Sequence, residues 1–206
     1  MKTFNIEPNR YLKQPVTGYF HTHYIKMGYE NNPDYINRLK NDLLHADALT
    51  LSSDAKIVMD ILANDLPSII EKKLIHRPVV CVMPRAKQIS YYDDSQLMFQ
   101  SAVSQSVDNI HGIKNGTTWI TRLKATKTTH LRGAEWYRDP SNLSPYQGIT
   151  NDTCIISPKV KGRNIILVDD VYTADVNVIE DTLQALIDKG AKSVTSYVLS
   201  KTIRRH

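Results

Sequence analysis

No apolar run in this chain of 206 residues approaches the ~20 residues that a bilayer-spanning helix requires, so nothing in it reads as a membrane segment. The opening Met1-Lys-Thr-Phe-Asn-Ile-Glu7 lacks the apolar stretch of a secretory leader, and a cytoplasmic protein is expected. Cysteine is scarce. Cys81 and Cys154 each fall inside an apolar, strand-like run, which argues against a disulfide-stapled scaffold and for buried thiols. The Gly-x-Ser-x-Gly elbow, the Gly-x-Gly-x-x-Gly fingerprint and the Walker loop are all missing, which removes the usual sequence support for a serine hydrolase, a dinucleotide fold or a P-loop enzyme. There is no internal repeat and no low-complexity tract. Charge of one sign is not dominant either: 26 Lys and Arg stand against 21 Asp and Glu, a net +5. That balance suits an anionic substrate and is too weak by itself to argue for nucleic acid.

What remains is a chain with the length and the 41% apolar content of one ordinary α/β domain with a full core. Residues 1–33 are rich in aromatic and polar groups, and the run from Thr17 to Met27 reads as a strand or hairpin arm. Tyr35, Ile36, Leu39, Leu43 and Leu44 recur at helical spacing. A second helix is expected from Ser53-Asp54, both good N-caps, with Pro67 kinking or ending it. From Pro78 the pattern alternates as βαβ units do. Val79–Met83 reads as a buried strand, Ser95–Ile110 as a helix, Thr117–Thr121 as a strand, and Cys154–Ile156 as a short strand. Asn164–Val168 reads as a strand, Val176–Lys189 as a helix stopped at Gly190, and Ser193–Leu199 as the last strand. The expected architecture is α/β: a doubly wound, mainly parallel sheet over residues 78–206, preceded by a helical extension or hood over residues 1–77. Right-handed crossovers would bring the loops after Met83, Thr121 and Val168 to one edge.

The most informative stretch is Asn164-Ile-Ile-Leu-Val-Asp-Asp-Val-Tyr-Thr-Ala-Asp-Val-Asn177. An apolar strand ends in two adjacent carboxylates, and a polar turn then leads into a helix. In open α/β sheets, ligands bind at the carboxyl ends of strands, where helix N-termini also point. Asp169 and Asp170 would there accept hydrogen bonds from a sugar diol, while the turn behind them faces a phosphate. Two acids directly after Ile-Ile-Leu-Val are costly to place without such a purpose. A capping pair at the next helix is the structural alternative. His21 and His23 share a face if they lie on a strand, yet no cysteine or acid cluster beside them completes a metal site.

The motif resembles the signature of the type I phosphoribosyltransferases, whose ligand is phosphoribosyl pyrophosphate (PRPP); the likeness is to the ComF-like and orotate-like branches. It is specific over about Asn164–Thr202 and loose over 78–132. The resemblance implies that Asp169 and Asp170 hold the ribose hydroxyls and indirectly help place Mg²⁺. It implies that the turn Thr173, Ala174, Asp175, Val176 and Asn177 holds the 5′-phosphate. Here the sequence departs from the family pattern: Asp175 stands where the family has glycine, and Val176-Asn177 where a threonine is usual. Arg85 and Lys87, after the first parallel strand, match the place of the pyrophosphate loop. Residues 121–150 match the place of the catalytic loop that closes over PRPP, with Lys124, Lys127 and Arg132 as candidates to neutralise the departing pyrophosphate.

Two functions follow. The first is an enzyme that transfers 5-phosphoribosyl from PRPP to a nitrogenous acceptor and releases pyrophosphate, with Mg²⁺ as cofactor and a homodimer as the expected assembly. The second is a non-catalytic regulator on the same fold that senses PRPP or a nucleotide, or binds nucleic acid. The altered turn and the basic tail Lys201–His206 are what favour it. Nucleic acid remains the less favoured partner.

Overall fold

The computed structural model describes residues 1–42, 44–126, 148–149, 152–174 and 176–203. Its centre is a six-stranded sheet in the order β1-β2-β8-β7-β3-β4. The strands are β1 (Lys2–Ile6), β2 (Val16–Tyr24), β3 (Pro78–Val82), β4 (Lys114–Asn115), β7 (Asn164–Tyr172) and β8 (Ser193–Thr202). Among the described residues of this sheet only the β1–β2 pair is antiparallel; β2, β8, β7, β3 and β4 run parallel. A separate two-stranded ladder joins β5 (Ile120–Arg122) to β6 (Cys154–Ile156). The chain is therefore an α/β protein with a mixed, mostly parallel sheet, an arrangement compatible with double winding.

Alternation along the strands explains the two layers, because successive side chains leave opposite faces. Val80, Val82, Ile166, Val168, Tyr197 and Leu199 pack under α1 (Tyr35–Lys40), α2 (Ala48–Lys73) and α3 (Met98–Asn109). Val79, Cys81, Ile165, Leu167 and Val198 pack on the other face under α4 (Val178–Asp188) and the β5–β6 ladder. Among the described residues no helix is long and apolar enough to cross a membrane.

Residues 1–77 supply more than helices. β2 pairs with β8 from Gly18↔Ser196 to Tyr24↔Thr202, so the N-terminal strands extend the same sheet. α2 starts at Ala48, five residues before the expected Ser53, capped by Asp47, whose carboxylate accepts the Thr50 N–H at 2.9 Å. Pro67 does not end it. The stripe Leu51, Ala55, Val58, Leu62, Leu66 and Ile69 keeps one face in the core on both sides of the proline, and that burial outweighs the lost backbone bond. The expected strand at Thr117–Thr121 is also relocated. The chain lies beside β3 only at Lys114–Asn115, turns where Asn115 Oδ1 accepts the Thr117 N–H at 3.0 Å, and enters the second ladder at Ile120. Gly116 sits at the departure point. A Cβ there would lie 2.7 Å from Val79 Cγ1, so only glycine permits the approach.

Candidate functional site

Unequal strand lengths open a cleft. β3 ends at Val82, opposite Val168, whereas β7 runs on to Tyr172 with β8 as its remaining neighbour. From Asp169 onward, β7 has no strand on its β3 side among the described residues. The connections after β3 and β7 lead to helices on opposite faces of the sheet, α3 on one and α4 on the other. That divergence is the topological switch point at which open α/β sheets bind ligands. A cavity of about 410 Å³ lies there. Asp169 and Asp170 line it from β7, Thr173 from the turn after β7, and Pro84 and Arg85 from the β3 loop. Lys40 and Asn37 come from α1, and Glu180 from the first turn of α4.

The acidic pair therefore faces the cleft, and the strand extends through it instead of ending before it. Asp169 Oδ1 accepts the Asp170 N–H at 2.9 Å, and Asp170 Oδ1 accepts the Val171 N–H at 2.6 Å. The other oxygen of Asp170 meets the Lys40 ammonium at 2.8 Å. Burial disfavours the charged form of Asp169 and the neighbouring Asp170 carboxylate adds to that, so its pKa is held well above the carboxylate range. Burial alone would lower the pKa of Lys40, but the attraction of Asp170 wins and raises it, so the ammonium stays charged. A fully buried acid was not expected here: Glu180 is 3% exposed and accepts from the Tyr172 hydroxyl at 2.8 Å.

The basic groups are committed to protein partners. Arg85 does reach the cavity wall, as expected, but its guanidinium donates to the Asp42 carboxylate and to the Gln96 carbonyl. It donates to the Lys40 carbonyl at 3.0 Å, and it stacks on Tyr92 with Cζ 4.1 Å from the ring centroid. Lys87 is half-buried and does not line the cavity; its N–H donates to the Tyr92 hydroxyl at 3.0 Å. Lys124 is exposed and also off the cavity wall. Lys127, Arg132 and Asp175 lie outside the described residues. Arg122 is buried and structural, donating to the carbonyls of Arg85 at 3.2 Å and Gly148 at 3.4 Å.

Thr173 and Val176 line the cavity, with the Val176 N–H returning to the Thr173 carbonyl at 3.3 Å. Thr173 Oγ1 lies 2.7 Å from Thr202 Oγ1. Ala174 packs toward the core. Asn177 caps α4 from the left-handed region, φ 64°, makes no side-chain cap, and accepts from Asn9 Nδ2 at 3.0 Å. Its side chain is off the cavity wall. His21 and His23 do not converge on a shared ligand. His21 Nδ1 is 3.0 Å from Asp65 Oδ2, while the His23 ring packs edge-on against Phe20.

Chemically, the cleft offers one carboxyl whose charged form is disfavoured by burial and its neighbour, one carboxylate balanced by an ammonium, and hydroxyl and backbone groups behind them. A diol can be bound by that set, since a neutral carboxyl both donates and accepts. The expected Mg²⁺ would share the pair with an ammonium. At ~4 Å and an effective dielectric near 20, the repulsion is about 4 kcal/mol for each unit of the ion's charge. The donor set fits a singly charged counter-ion, not a resident divalent one. Among the described residues no group of three or more His, Cys, Asp or Glu converges as a metal site.

Lys40 and Glu180 were beyond sequence reasoning. Each is an ordinary helix residue whose role exists only because α1 and α4 reach the same strand end from opposite faces. Compared with known proteins, the chain matches no family model and no curated protein.

Proposed function

We propose that this protein binds a 5-phosphorylated ribose at the end of β7 and acts as a phosphoribosyltransferase of the type I class. It would transfer the phosphoribosyl group of PRPP to a nitrogen nucleophile and release pyrophosphate. The observation that carries the reading is the position of Asp169 and Asp170. They are consecutive acids where β7 overruns β3, and both line a cavity at the switch point. In this reading the pair receives the ribose hydroxyls. The turn from Thr173 and the N-terminus of α4 receive the 5′-phosphate, helped by the backbone N–H groups of the first helical turn. Arg85 stands at the pyrophosphate end and must exchange Asp42 for the ligand. Aromatic groups on the opposite wall, Tyr24, Tyr92 and Phe99, would face the acceptor.

One observation favours the second reading, a PRPP or nucleotide sensor without turnover. Among the described residues lining the cavity, both cations, Lys40 and Arg85, are already bound to carboxylates, so neither is ready to stabilise a leaving group. The deciding experiment has two parts. PRPP should raise the melting temperature in a concentration-dependent way. Pyrophosphate release should then be measured against a panel of nitrogenous acceptors. Binding with release supports the enzyme; binding without release across the panel supports the sensor. No stabilisation by PRPP would remove the enzyme and the PRPP sensor together.

A further inference from the structure

Lys40 is the last residue of α1, and three features fix where its ammonium goes. Ile36 and Leu39 are buried in the core beneath the helix, at 1% and 0% exposure. Asn41 terminates the helix in the left-handed region, φ 46°, and its side chain is tied to Ser95 Oγ at 3.1 Å and to the Ala46 N–H at 2.8 Å. The Lys40 carbonyl is held by Arg85 at 3.0 Å. The side chain is thus anchored at its root and projects to Asp170, with 23% of its surface exposed and 15% of its partner's. The other basic residue of this last turn, Arg38, is spent on Asp54 in a different part of the molecule.

We propose that Lys40 is the resident counter-ion of the Asp169–Asp170 pair, standing where a divalent cation would act, so that a phosphorylated pentose binds here without Mg²⁺. The inference rests on the phosphoribosyl reading of the site and adds the identity of the cation. Its basis is geometry. Asp170 Oδ2 is taken by the Lys40 ammonium at 2.8 Å, Asp170 Oδ1 by the Val171 N–H at 2.6 Å and Asp169 Oδ1 by the Asp170 N–H at 2.9 Å, so three of the pair's four carboxylate oxygens already have a donor. A divalent ion brought to the same carboxylates must displace these donors and meets a fixed positive charge. A lysine that only braced α1 against β7 would leave the metal requirement of the site untouched, which separates this role from a merely structural one.

The test is titration calorimetry of the full chain with ribose 5-phosphate and with PRPP, each in EDTA and in MgCl₂. The wild-type dissociation constant for ribose 5-phosphate should agree within about threefold between the two conditions. Lys40→Met should bind at least about tenfold more weakly in EDTA, and MgCl₂ should restore part of the loss, because the vacated position then accepts the ion. Lys40→Arg, which keeps the charge, should stay insensitive to metal. If wild-type affinity rises tenfold or more on adding MgCl₂, the counter-ion role is overturned while the phosphoribosyl reading stands. If neither ligand binds in either condition, both fall together. Should Lys40→Met fail to fold, the wild-type comparison alone decides, since it needs no variant.

Discussion

The Arg85 guanidinium is clasped by the Asp42 carboxylate while its plane lies over the Tyr92 ring, 4.1 Å from Cζ to the centroid. A residue expected to offer its charge to a ligand therefore spends that charge inside the protein. In the proposed site, pyrophosphate has to compete with Asp42 for the same donors. Asp42→Asn removes the competing charge and keeps an acceptor in place. It should tighten pyrophosphate binding by about threefold to tenfold and cost about 1–2 kcal/mol of fold stability. Calorimetry with pyrophosphate, paired with urea unfolding, checks both. Weaker pyrophosphate binding in the variant would show that Arg85 does not serve the ligand.

Asp169 links stability to pH with a definite sign. Its folded pKa lies above the unfolded value, so between the two the native state holds more protons than the unfolded chain. Stability then falls as pH rises through that window, and this group's contribution is complete only below the ordinary carboxylate pKa. Asp169→Asn should flatten that part of the curve. At neutral pH it should stabilise the ligand-free fold by about 1 kcal/mol, as removing a strained functional charge commonly does. The same change should weaken ribose 5-phosphate binding at least about tenfold. Melting curves of both proteins across pH give the comparison. A difference between them that does not grow with pH above the carboxylate range would contradict the assignment.

How much of this was legible in the sequence depended on how local the cause is. β3, β7 and β8 were readable because each is an apolar run whose face is set by its own residues, and the acidic pair stood out because it interrupts one of them. α2 was misread at its start because Ser53 and Asp54 look like caps. In fact Asp54 is a mid-helix acid satisfied by Arg38 from another helix. The strand expected at Thr117–Thr121 failed for a similar reason: its β-branched residues suit any pleated surface, and the close contact at Gly116 decides which sheet they join. Arg85 lines the cleft, but its partner Asp42 lies 43 positions away, and no spacing rule reaches that far. The cleft itself arises from the mismatch in length between β3 and β7, which neither segment encodes alone.

Arg38 and Asp54 form a two-pronged pair, Nε to Oδ2 at 2.7 Å and Nη2 to Oδ1 at 2.8 Å, with Asp54 3% exposed. Breaking it from one side strands a buried carboxylate. Arg38→Ala should cost about 3–5 kcal/mol. Replacing both members with apolar residues of similar volume, Arg38→Met with Asp54→Leu, should recover most of that loss, because the desolvation of both charges disappears with them. Urea denaturation of the two variants beside the wild type measures both changes. If the double variant is no more stable than the single one, the pair does more than compensate its own burial.

Burial also sets the chemistry of the two thiols. Cys81 is fully buried in β3, and its pKa is pushed up to about 12; Cys154, 3% exposed, is raised by burial as well. The thiolate is the reactive form, so neither should react with a disulfide reagent in the native protein at mildly alkaline pH, and both should react in denaturant. Native-state labelling then has to wait for opening of the sheet, and its rate reports the free energy of that opening. Cys81 lies two residues before Met83, which lines the cavity, so opening around it dismantles the site. A ligand that binds the cleft should slow its modification by the factor 1 + [L]/Kd, about a hundredfold at a hundred times Kd. Protection of Cys81 by ribose 5-phosphate, measured by mass spectrometry of the labelled chain, would tie the ligand to the end of β3 independently of any turnover. Rapid native labelling of Cys81, or a rate indifferent to a ligand shown to bind, would place that ligand elsewhere.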